Sequence, residues 1–383
     1  MRSRMPAQAY IDTAWFERER ELVFKPLWQF IGFKMMLATH NAYITRTLCG
    51  IPLVVQNFHG ALRAFENICL HRQNPIQTGA QGVRPLVCSY HGWNYGSDGA
   101  PAKIPFEAEL YRFPAEERAC LHLRRFALEC VGNLVFVNLS AEPMPIGQQF
   151  DVAMIASLTA ASDAFDSEVI MTSYDARFNW KLAFENLRDG LHPRFLHGRT
   201  LYQDVKFEAS IDEGGVQALQ RLQQDGIGAR AHALALLRSF SGGGPDTPLE
   251  NASPEWWHAH VARFGDQDWY YNWLAFPNLH IVSASGGYSF FIYQHVPLGP
   301  DRTDFLVYCV TAKKQRRYVS PVPVLHAHML GADKVLREDI VVLEAIQRTL
   351  HPGARPAHLG DYEFANAGIE HWYLDVMEKK IVL

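Results

Sequence analysis

Hydrophobic and polar positions change their period along the chain, and each change indicates a different kind of structure. Residues 12–24 place Trp15 and Phe16 among glutamates and arginines, a spacing that predicts an amphipathic helix. From Trp28 to about Leu139 the pattern becomes short β-branched and aromatic runs, separated by glycine, proline and asparagine. That pattern predicts a small all-β domain with many turns.

The rest of the chain, from about residue 143, mixes helical and extended patterns. Helical spacing covers roughly residues 178–192 and 333–350. Runs with strand character occupy residues 167–178, 203–211, 279–283, 288–296 and 304–312. Residues 239–254, which are rich in glycine and proline, are interpreted as a mobile loop.

These patterns predict an α+β protein. A small all-β domain, residues 27–142, is inserted near the N-terminus of a larger α+β domain formed by residues 1–26 and 143–383. We expect the larger domain to be an antiparallel sheet flanked by helices. A chain of 383 residues is long enough to build both domains.

Composition and charge narrow the classes of partner. A formal net charge of −4 and a sequence pI near 6.5 give no basic surface for nucleic acid or an anionic membrane. The N-terminal segment lacks the apolar core of a signal peptide. No run approaches the roughly eighteen uninterrupted apolar residues of a membrane-spanning helix. We therefore expect a cytoplasmic protein with no nucleic-acid or membrane partner.

The chain has six cysteines, which are too few for a disulfide framework in a protein of this length. Four of them lie in apolar runs with strand character and are expected to be buried, reduced thiols: Cys49, Cys120, Cys130 and Cys309.

The other two cysteines belong to mixed pairs of potential metal ligands in the β domain. Cys69 and His71 form the first pair, and Cys88 and His91 form the second pair after an interval of sixteen residues. Two thiolates and two imidazoles suit a [2Fe–2S] cluster with sulfur ligands on one iron and histidines on the other. A tetrahedral zinc ion accepts the same four ligands, although zinc motifs usually separate a cysteine arm from a histidine arm.

A second group of polar residues lies in the first predicted helix of the larger domain. Glu185, Asp189 and His192 form one stripe that the helical period separates from the apolar stripe. Exposure of this stripe to solvent is one explanation. His197 follows five residues after His192, and a regular helix cannot turn both toward one ion. Because Pro193 disturbs a helix, we predict that the chain leaves helical geometry after His192 and brings both imidazoles together.

A third ligand must come from another element, and the helix predicted at 333–350 offers Asp339. An acid on a core stripe requires a cation or strong donors, so the alternatives are a metal ion and a buried ion pair with Arg337 or Arg348. Two histidines and one carboxylate form the facial triad that binds non-heme Fe(II). The predicted core stripe that includes Asp339 comprises Val335, Val342 and Ile346.

The other acids at the start of this helix have simpler interpretations. Glu338 is expected to point about 100° away from Asp339, beside Lys334. Asp333 is expected to be the residue that caps the helix N-terminus.

Together these motifs resemble those of the Rieske non-heme iron oxygenases, in the branch of the aromatic ring-hydroxylating α subunits, and the resemblance extends over nearly the whole chain. It implies a Rieske [2Fe–2S] cluster held by Cys69, His71, Cys88 and His91. It also implies a mononuclear Fe(II) held by His192, His197 and Asp339. Three positions differ from residues that are common in the family, and none of them is a ligand: Gln73, Ser89 and Leu191.

The resemblance also implies roles around the two metal centres. In a homotrimer, the cluster of one subunit would lie near the iron of its neighbour. Asp189 would bridge the two by accepting hydrogen bonds from His91 across the interface and from His192. Asn186 would lie near the iron without being a firm ligand, and Glu185 would contribute to the interface. Exposure on the helix surface remains the plain alternative for Asn186 and Glu185.

The activity implied is that of a terminal oxygenase that combines O₂ with a small-molecule substrate. Because the sequence contains no flavin, ferredoxin or dinucleotide motif, electrons are expected from a separate reductase or ferredoxin linked to NADH or NADPH. Mono- or dihydroxylation of an aromatic substrate is the first expectation. Oxidative N- or O-demethylation and oxygenation of a quaternary amine are the alternatives. A Rieske electron-transfer protein without oxygenase activity is an alternative of another class.

Overall fold

The computed structural model describes residues 2–200, 211–249, 254–315 and 320–383. It divides into two compact units. One unit is Leu27–Met144, and the other combines Met1–Pro26 with Pro145–Leu383. The predicted α+β class is confirmed. The strand predicted at 203–211 lies, except for its last residue, outside the described residues.

The segment that precedes the β unit is helical, as the pattern at 12–24 predicts. Helix α1 is Gln8–Ile11, α2 is Thr13–Glu19, and a π-helical turn follows at Arg20–Phe24. The carboxylate of Asp12 accepts a hydrogen bond of 2.6 Å from the backbone N–H of Trp15. This bond satisfies one of the donors that the start of a helix leaves without a partner, so Asp12 determines where α2 begins.

The unit Leu27–Met144 is built around one antiparallel sheet. Its elements are β1 (Trp28–Phe33), β2 (Ala42–Leu48), β3 (Ile51–Phe58), β4 (Ala61–Glu66), β5 (Gln81–Val83), β6 (Asn94–Tyr95), β7 (Pro101–Lys103), helix α3 (Ala115–Ala119), β8 (Arg125–Val131) and β9 (Leu134–Asn138). Seven strands form the sheet in the order β1–β9–β8–β4–β3–β2–β5, and β6 pairs with β7. The predicted small β domain is therefore present.

The core of this unit encloses two of the proposed ligands. Cys69 and Cys88 are each 1% exposed and belong to one cluster of buried apolar residues. The cluster also contains Val54, Phe65, Ile76, Leu86, Trp93, Tyr95 and Leu123. Side chains from the sheet and from the two ligand loops thus share one core, and their burial stabilises the loops against the sheet.

The larger unit consists of a sheet and a set of helices. Its elements are α4 (Ile146–Gln149), α5 (Val152–Asp163), β10 (Phe165–Ala176), α6 (Trp180–Leu187), α7 (His192–Leu196), α8 (Glu213–Asp225), α9 (Arg230–Ser239), β11 (Gly242–Pro248), β12 (Trp269–Ala275), β13 (Leu279–Ser285), β14 (Ser289–Gly299), β15 (Arg302–Ala312), α10 (Val322–Thr349) and α11 (Phe364–Met377). None of the described helices has the length and apolar character needed to cross a membrane.

Six strands of this unit form an antiparallel sheet in the order β10–β15–β14–β13–β12–β11. Helix α10 packs on one face, where Leu325 and Leu336 join Tyr293, Phe305 and Val307 in an apolar cluster. The strands predicted at 167–178, 279–283, 288–296 and 304–312 are confirmed.

The interpretation of residues 239–254 as a mobile loop is wrong for the described part of that segment. Residues Gly242–Pro248 form β11, which pairs with β12 from Gly242 opposite Leu274 to Pro248 opposite Trp269. Strand β11 is the last in the sheet order. An edge strand tolerates proline because one row of its backbone groups forms no ladder, so a composition typical of loops is compatible with a strand here.

Helix α10 begins eleven residues earlier than predicted, and its phase differs from the prediction. Asp333 is not an N-cap. It lies inside the helix, where its carboxylate accepts hydrogen bonds from Tyr174 and Arg337, both 2.7 Å long. Val342 and Ile346 are 38% and 39% exposed, so the predicted core stripe is also wrong. The buried positions in this part of the helix are Leu336, Leu343 and Gln347.

All six cysteines are free thiols in the structure, but only some are buried. Cys49 and Cys309 are buried as expected, whereas Cys120 and Cys130 are exposed. Cys120 follows the short surface helix α3. Cys130 lies on the outer face of β8, next to the inward-facing Val131. Alternation along a strand thus explains the error at Cys130.

Candidate metal centres

The two Cys–His pairs lie on loops whose backbones turn tightly around the cysteines. The backbone N–H of Gln73 donates to the carbonyl of Cys69 at 2.9 Å, and that of Gly92 donates to the carbonyl of Cys88 at 3.0 Å. Gly92 has a φ of +72°, a conformation that glycine adopts without strain. The rings of His71 and His91 meet with centroids 4.4 Å apart. The structure therefore brings both pairs together.

The surroundings of these side chains fit an iron–sulfur cluster. The hydroxyl of Tyr95 lies 3.1 Å from Sγ of Cys69, and the side-chain amide of Asn74 donates to Sγ of Cys88 at 3.6 Å. Burial raises the pKa of Cys69, so a buried thiolate there needs a cation beside it. Nδ1 of His71 is buried and has no hydrogen-bond partner among the described residues.

Electrostatics keeps His71 in the form that binds metals. Burial, together with the nearby His91 and Arg72, lowers the pKa of His71 below its usual range, which favours the neutral imidazole. Trp93 stacks on the ring of His71, with centroids 5.4 Å apart and planes at 3°. A neutral, oriented imidazole with an unpartnered nitrogen is what a histidine ligand to iron requires.

The second group of residues lies where α6 gives way to α7. Helix α6 ends at Leu187, and His192 is the first residue of α7. The prediction that the chain leaves helical geometry after His192 is wrong, because the break comes before it. The side chain of Asp189 accepts a hydrogen bond of 2.7 Å from the backbone N–H of Leu191, which stabilises the turn. Pro193 lies in the first turn of α7, where a missing N–H costs nothing.

This break brings three proposed ligands together. His192, His197 and Asp339 each present a ligand atom, and these atoms lie within 4.8 Å of one another. Oδ1 of Asp339 is 3.2 Å from Nε2 of His197 and 3.6 Å from Nε2 of His192. Two imidazoles and one carboxylate are a donor set for non-heme Fe(II). The three residues therefore fit a mononuclear iron.

The alternative explanation of Asp339 as half of a buried ion pair with arginine does not hold. Arg337 pairs with Asp333, and Arg348 pairs with Glu344. In the part of the chain that the structure describes, Asp339 contacts the two histidines and Asn186, whose side-chain amide donates to Oδ1 at 3.2 Å. Asn186 thus faces the proposed metal site instead of solvent.

The outer ring nitrogens of the two histidines have different partners. Nδ1 of His192 lies 2.9 Å from the carbonyl oxygen of Asp189 and 3.5 Å from its carboxylate. Nδ1 of His197 lies 2.8 Å from the carboxylate of Glu338. The prediction that Glu338 points away beside Lys334 is therefore wrong. The buried stripe of α10 lies one residue further along the chain than predicted. With this phase, residues 338 and 339 both face the centre.

Charge in the centre favours the protonated form of His197. Burial disfavours the charged form of His197, but hydrogen bonds to Asp339 and Glu338 outweigh it and raise its pKa. Burial likewise opposes ionisation of Asp189, yet its contacts with His192 and Leu191 lower its pKa. Carboxylates that attract a proton onto an imidazole also attract a cation in its place.

Glu185 lies on the same helix but faces another neighbourhood. Tyr10 donates a hydrogen bond of 2.6 Å to its carboxylate. Burial raises the pKa of Glu185 to about 7. The exposed-surface alternative is therefore wrong for Glu185, and its expected role at a subunit interface stays a prediction.

Reasoning from the sequence missed two groups with contacts in or near the centre. They are Glu338 and Thr200, whose hydroxyl donates to Glu338 at 2.7 Å. Glu338 could have been found, because it directly precedes Asp339. No local pattern marks Thr200, which meets Glu338 only through the fold.

Family models match both units. A model described as the Rieske [2Fe-2S] domain matches residues 27–114, and one described as the ring hydroxylating alpha subunit (catalytic domain) matches residues 167–379.

Individual relatives include oxygenases of several substrates. The glycine betaine monooxygenase oxygenase subunit of Chromohalobacter salexigens is 28% identical over 52% of this chain and 46% of its own length. The chloroplastic choline monooxygenase of Spinacia oleracea is 24% identical over 91% of this chain and 72% of its own length. The large oxygenase component of the naphthalene 1,2-dioxygenase system of Pseudomonas aeruginosa is 33% identical over 30% of this chain and 26% of its own length. The match thus spans about half the length of the first of these relatives.

Solved structures share the fold. The quaternary ammonium Rieske monooxygenase CntA, solved with an inhibitor, has a TM-score of 0.73 at 17% identity and covers 98% of this chain and 95% of its own. Naphthalene 1,2-dioxygenase from Rhodococcus sp. has a TM-score of 0.64 at 15% identity, and the match covers 97% of this chain and 94% of that protein's chain. Because the catalytic-domain model alone spans more than half of the sequence and the Rieske match precedes it, this chain belongs to the Rieske non-heme iron oxygenases of the ring-hydroxylating α-subunit type, which carry a Rieske [2Fe–2S] cluster and a mononuclear iron.

Proposed function

We propose that this chain is the terminal oxygenase of a multicomponent system, which receives electrons from a separate reductase or ferredoxin and uses O₂ to oxidise a small molecule. The observation that carries the proposal is the convergence of His192, His197 and Asp339 in a chain that also has a Rieske domain. When bound, the cluster supplies single electrons and the ferrous ion supplies O₂ activation. An electron carrier alone would not need the second set of ligands.

The chain's own residues hold and orient the two centres in this proposal. Cys69, Cys88, His71 and His91 hold the cluster. The carbonyl of Asp189 accepts from Nδ1 of His192 and leaves Nε2 free to face Asp339. Asn186 donates to Asp339 and fixes the direction of its carboxylate. Such contacts set the orientation and basicity of metal ligands.

Of the substrate classes considered, a small quaternary ammonium compound has the stronger support. Relatives that act on glycine betaine, choline and carnitine recur among the similar proteins. The sheet face under α10 is aromatic, with Tyr174, Tyr270, Tyr293 and Phe305 in or against one cluster. Aromatic faces attract quaternary ammonium groups through cation–π interactions. Oxidation of such a compound is therefore our first proposal for the reaction.

Hydroxylation of an aromatic compound is the second candidate. Relatives named for naphthalene and anthranilate support it, and the same aromatic sheet face suits a planar ring. Charge on the substrate separates the two candidates, because only a cation gains from the ring quadrupole.

A matched pair of substrates tests the proposal. The protein is loaded with both metals and supplied with NADH and a surrogate reductase, and substrate-dependent O₂ uptake and product are measured. We expect turnover with choline, glycine betaine or carnitine and little with the neutral isostere of choline, in which a tert-butyl group replaces the trimethylammonium group. Turnover of aromatic acids with none of the quaternary amines would favour the second candidate. No O₂ uptake with any substrate, despite reduction of the cluster, would contradict the oxygenase.

The assembly also remains a proposal. We infer a homotrimer in which Asp189 of one subunit accepts hydrogen bonds from its own His192 and from His91 of its neighbour. The position of Asp189 beside Nδ1 of His192 supports the first half of this bridge.

A further inference from the structure

Glu338 makes a contact that the proposed ligand set does not include. Its carboxylate lies 2.8 Å from Nδ1 of His197 and accepts a hydrogen bond of 2.7 Å from the hydroxyl of Thr200. The side chain of His197 is only 3% exposed, whereas that of Glu338 is 30% exposed. A partly exposed acid thus reaches inward to a buried imidazole.

Two successive residues of α10 face the two nitrogens of one ring. Asp339 lies 3.2 Å from Nε2 of His197, and Glu338 lies 2.8 Å from Nδ1. A neutral imidazole carries one N–H and one lone pair. A carboxylate at Nδ1 keeps the N–H on that side and leaves the lone pair of Nε2 directed toward Asp339 and His192.

The two histidines are supported differently. The closest partner of Nδ1 of His192 is the backbone carbonyl oxygen of Asp189, which lies 2.9 Å away in the same short segment of the chain. His197 instead depends on the side chain of Glu338 from α10, and the hydroxyl of Thr200 donates to the same oxygen of that carboxylate, Oε2. Removal of one side chain therefore removes the closest support of His197, whereas the corresponding support of His192 is main chain.

We propose that Glu338 is a positioning residue for the mononuclear metal: it holds His197 with Nε2 directed at the ion and strengthens metal binding, while Thr200 holds Glu338 in place. The inference rests on the proposed metal site of His192, His197 and Asp339. A carboxylate that accepts from the outer nitrogen of a metal-bound histidine fixes the ring and raises its basicity.

Binding of Co²⁺ to protein that retains its cluster but lacks the mononuclear metal tests this proposal without relying on turnover. Affinity is measured by titration, and the visible absorption of bound Co²⁺ reports the ligand geometry. We expect Glu338→Ala to weaken binding by about 10- to 100-fold and to change the cobalt spectrum. Glu338→Gln, which still offers an acceptor, should lose less, and Thr200→Val should weaken binding in the same direction.

The matched control is Glu344→Gln on the same helix, where the acid pairs with Arg348 at 3.7 Å. It should bind Co²⁺ with unchanged affinity and spectrum. Wild-type affinity and spectrum in Glu338→Ala would overturn the proposal. If that variant fails to fold, unchanged affinity in both Glu338→Gln and Thr200→Val would overturn it equally. A wild-type protein that binds no Co²⁺ would overturn the proposed metal site as well, which separates the two failures.

Discussion

At the scale of single residues, Asp189 contacts a proposed iron ligand, and we propose that it connects the two metal centres. Its carboxylate accepts from Leu191 and lies 3.5 Å from Nδ1 of His192. Burial disfavours the ionised form of Asp189, but those contacts outweigh this effect and lower its pKa. Asp189 is therefore held as a carboxylate beside a proposed iron ligand.

We expect Asp189→Asn to keep both metals but slow electron transfer, because the amide preserves size and removes the charge. A loss of about 10-fold or more is expected, in line with other groups that support metal ligands. The measurement is the rate at which the reduced cluster is reoxidised in a single turnover with substrate and O₂. Asp175→Asn, at an exposed pair with Arg302, is the control. A normal single-turnover yield in Asp189→Asn would contradict the assigned role.

The raised pKa of Glu185 predicts that the stability of the protein depends on pH. The folded-state pKa of Glu185 is raised from 4.5 to about 7, so between these values the folded protein holds a proton that the unfolded chain has released. The contribution of this group to stability is therefore present at low pH and lost as the pH rises toward 7.

Glu185→Gln removes this titration. Its stability relative to wild type should increase by about 1–3 kcal/mol between about pH 5 and pH 8, as measured by denaturant unfolding at matched metal content. Parallel stability curves for the two proteins would show that Glu185 does not titrate in this range.

Among the residues of the two metal centres, the sequence predicts the ligands well but not the groups that support them. The seven proposed ligands could be identified because chemistry restricts their types and spacing. Glu338 was misplaced because the helical phase was inferred partly from Val342 and Ile346, which are exposed in the structure. Thr200 has no local signature, since its contact with Glu338 joins residues far apart in the chain.

At the scale of elements, α6 is held in place by a buried charge network. Lys181 and Glu19 form an ion pair with side chains 5% and 0% exposed. Trp180 donates to the same carboxylate at 3.1 Å, and the hydroxyl of Tyr373 donates to it as well. Helix α6 is thereby connected to α2 and α11 close to the segment that carries the proposed ligands.

Lys181→Met should destabilise the protein strongly, because it leaves the charge of Glu19 buried without its cation. Loss of one member of a buried pair costs about 3 kcal/mol or more. Arg302→Met breaks an exposed pair with Asp175 and should change the free energy of unfolding much less, because water screens the two charges. The free energy of unfolding in denaturant measures both. Equal effects of the two substitutions would mean that the buried pair is not specifically stabilising.

Contacts between elements explain two further errors in the predicted fold, at the end of α6 and at β11. The apolar spacing of α6 continues through Leu191, so periodicity alone cannot reveal that the turn at Asp189 ends the helix. Strand β11 is rich in glycine and proline, and only its pairing with β12 makes it a strand. In both cases tertiary contacts override a local pattern.

At the scale of the whole molecule, the β unit has the character of an insertion. The indole N–H of Trp28, near its start, donates to the carbonyl of Met144, its last residue, at 2.7 Å. Adjacent ends and a separate core are features of units that can fold independently.

We therefore expect a fragment of residues 27–144 to fold and to assemble the cluster. It should be red-brown, show the electron paramagnetic resonance of a reduced Rieske centre and contain about two irons. A fragment that remains unfolded in the presence of iron and sulfide would show that the unit depends on the rest of the chain.

We propose that one polypeptide holds both a Rieske cluster and a separate iron on His192, His197 and Asp339. The most direct test is the iron content of wild-type protein and Asp339→Ala, reconstituted identically and checked for an unchanged cluster spectrum. This arrangement of two metal centres predicts about three irons per chain in wild type and about two in the variant. Two irons in both proteins, or three in both, would contradict it.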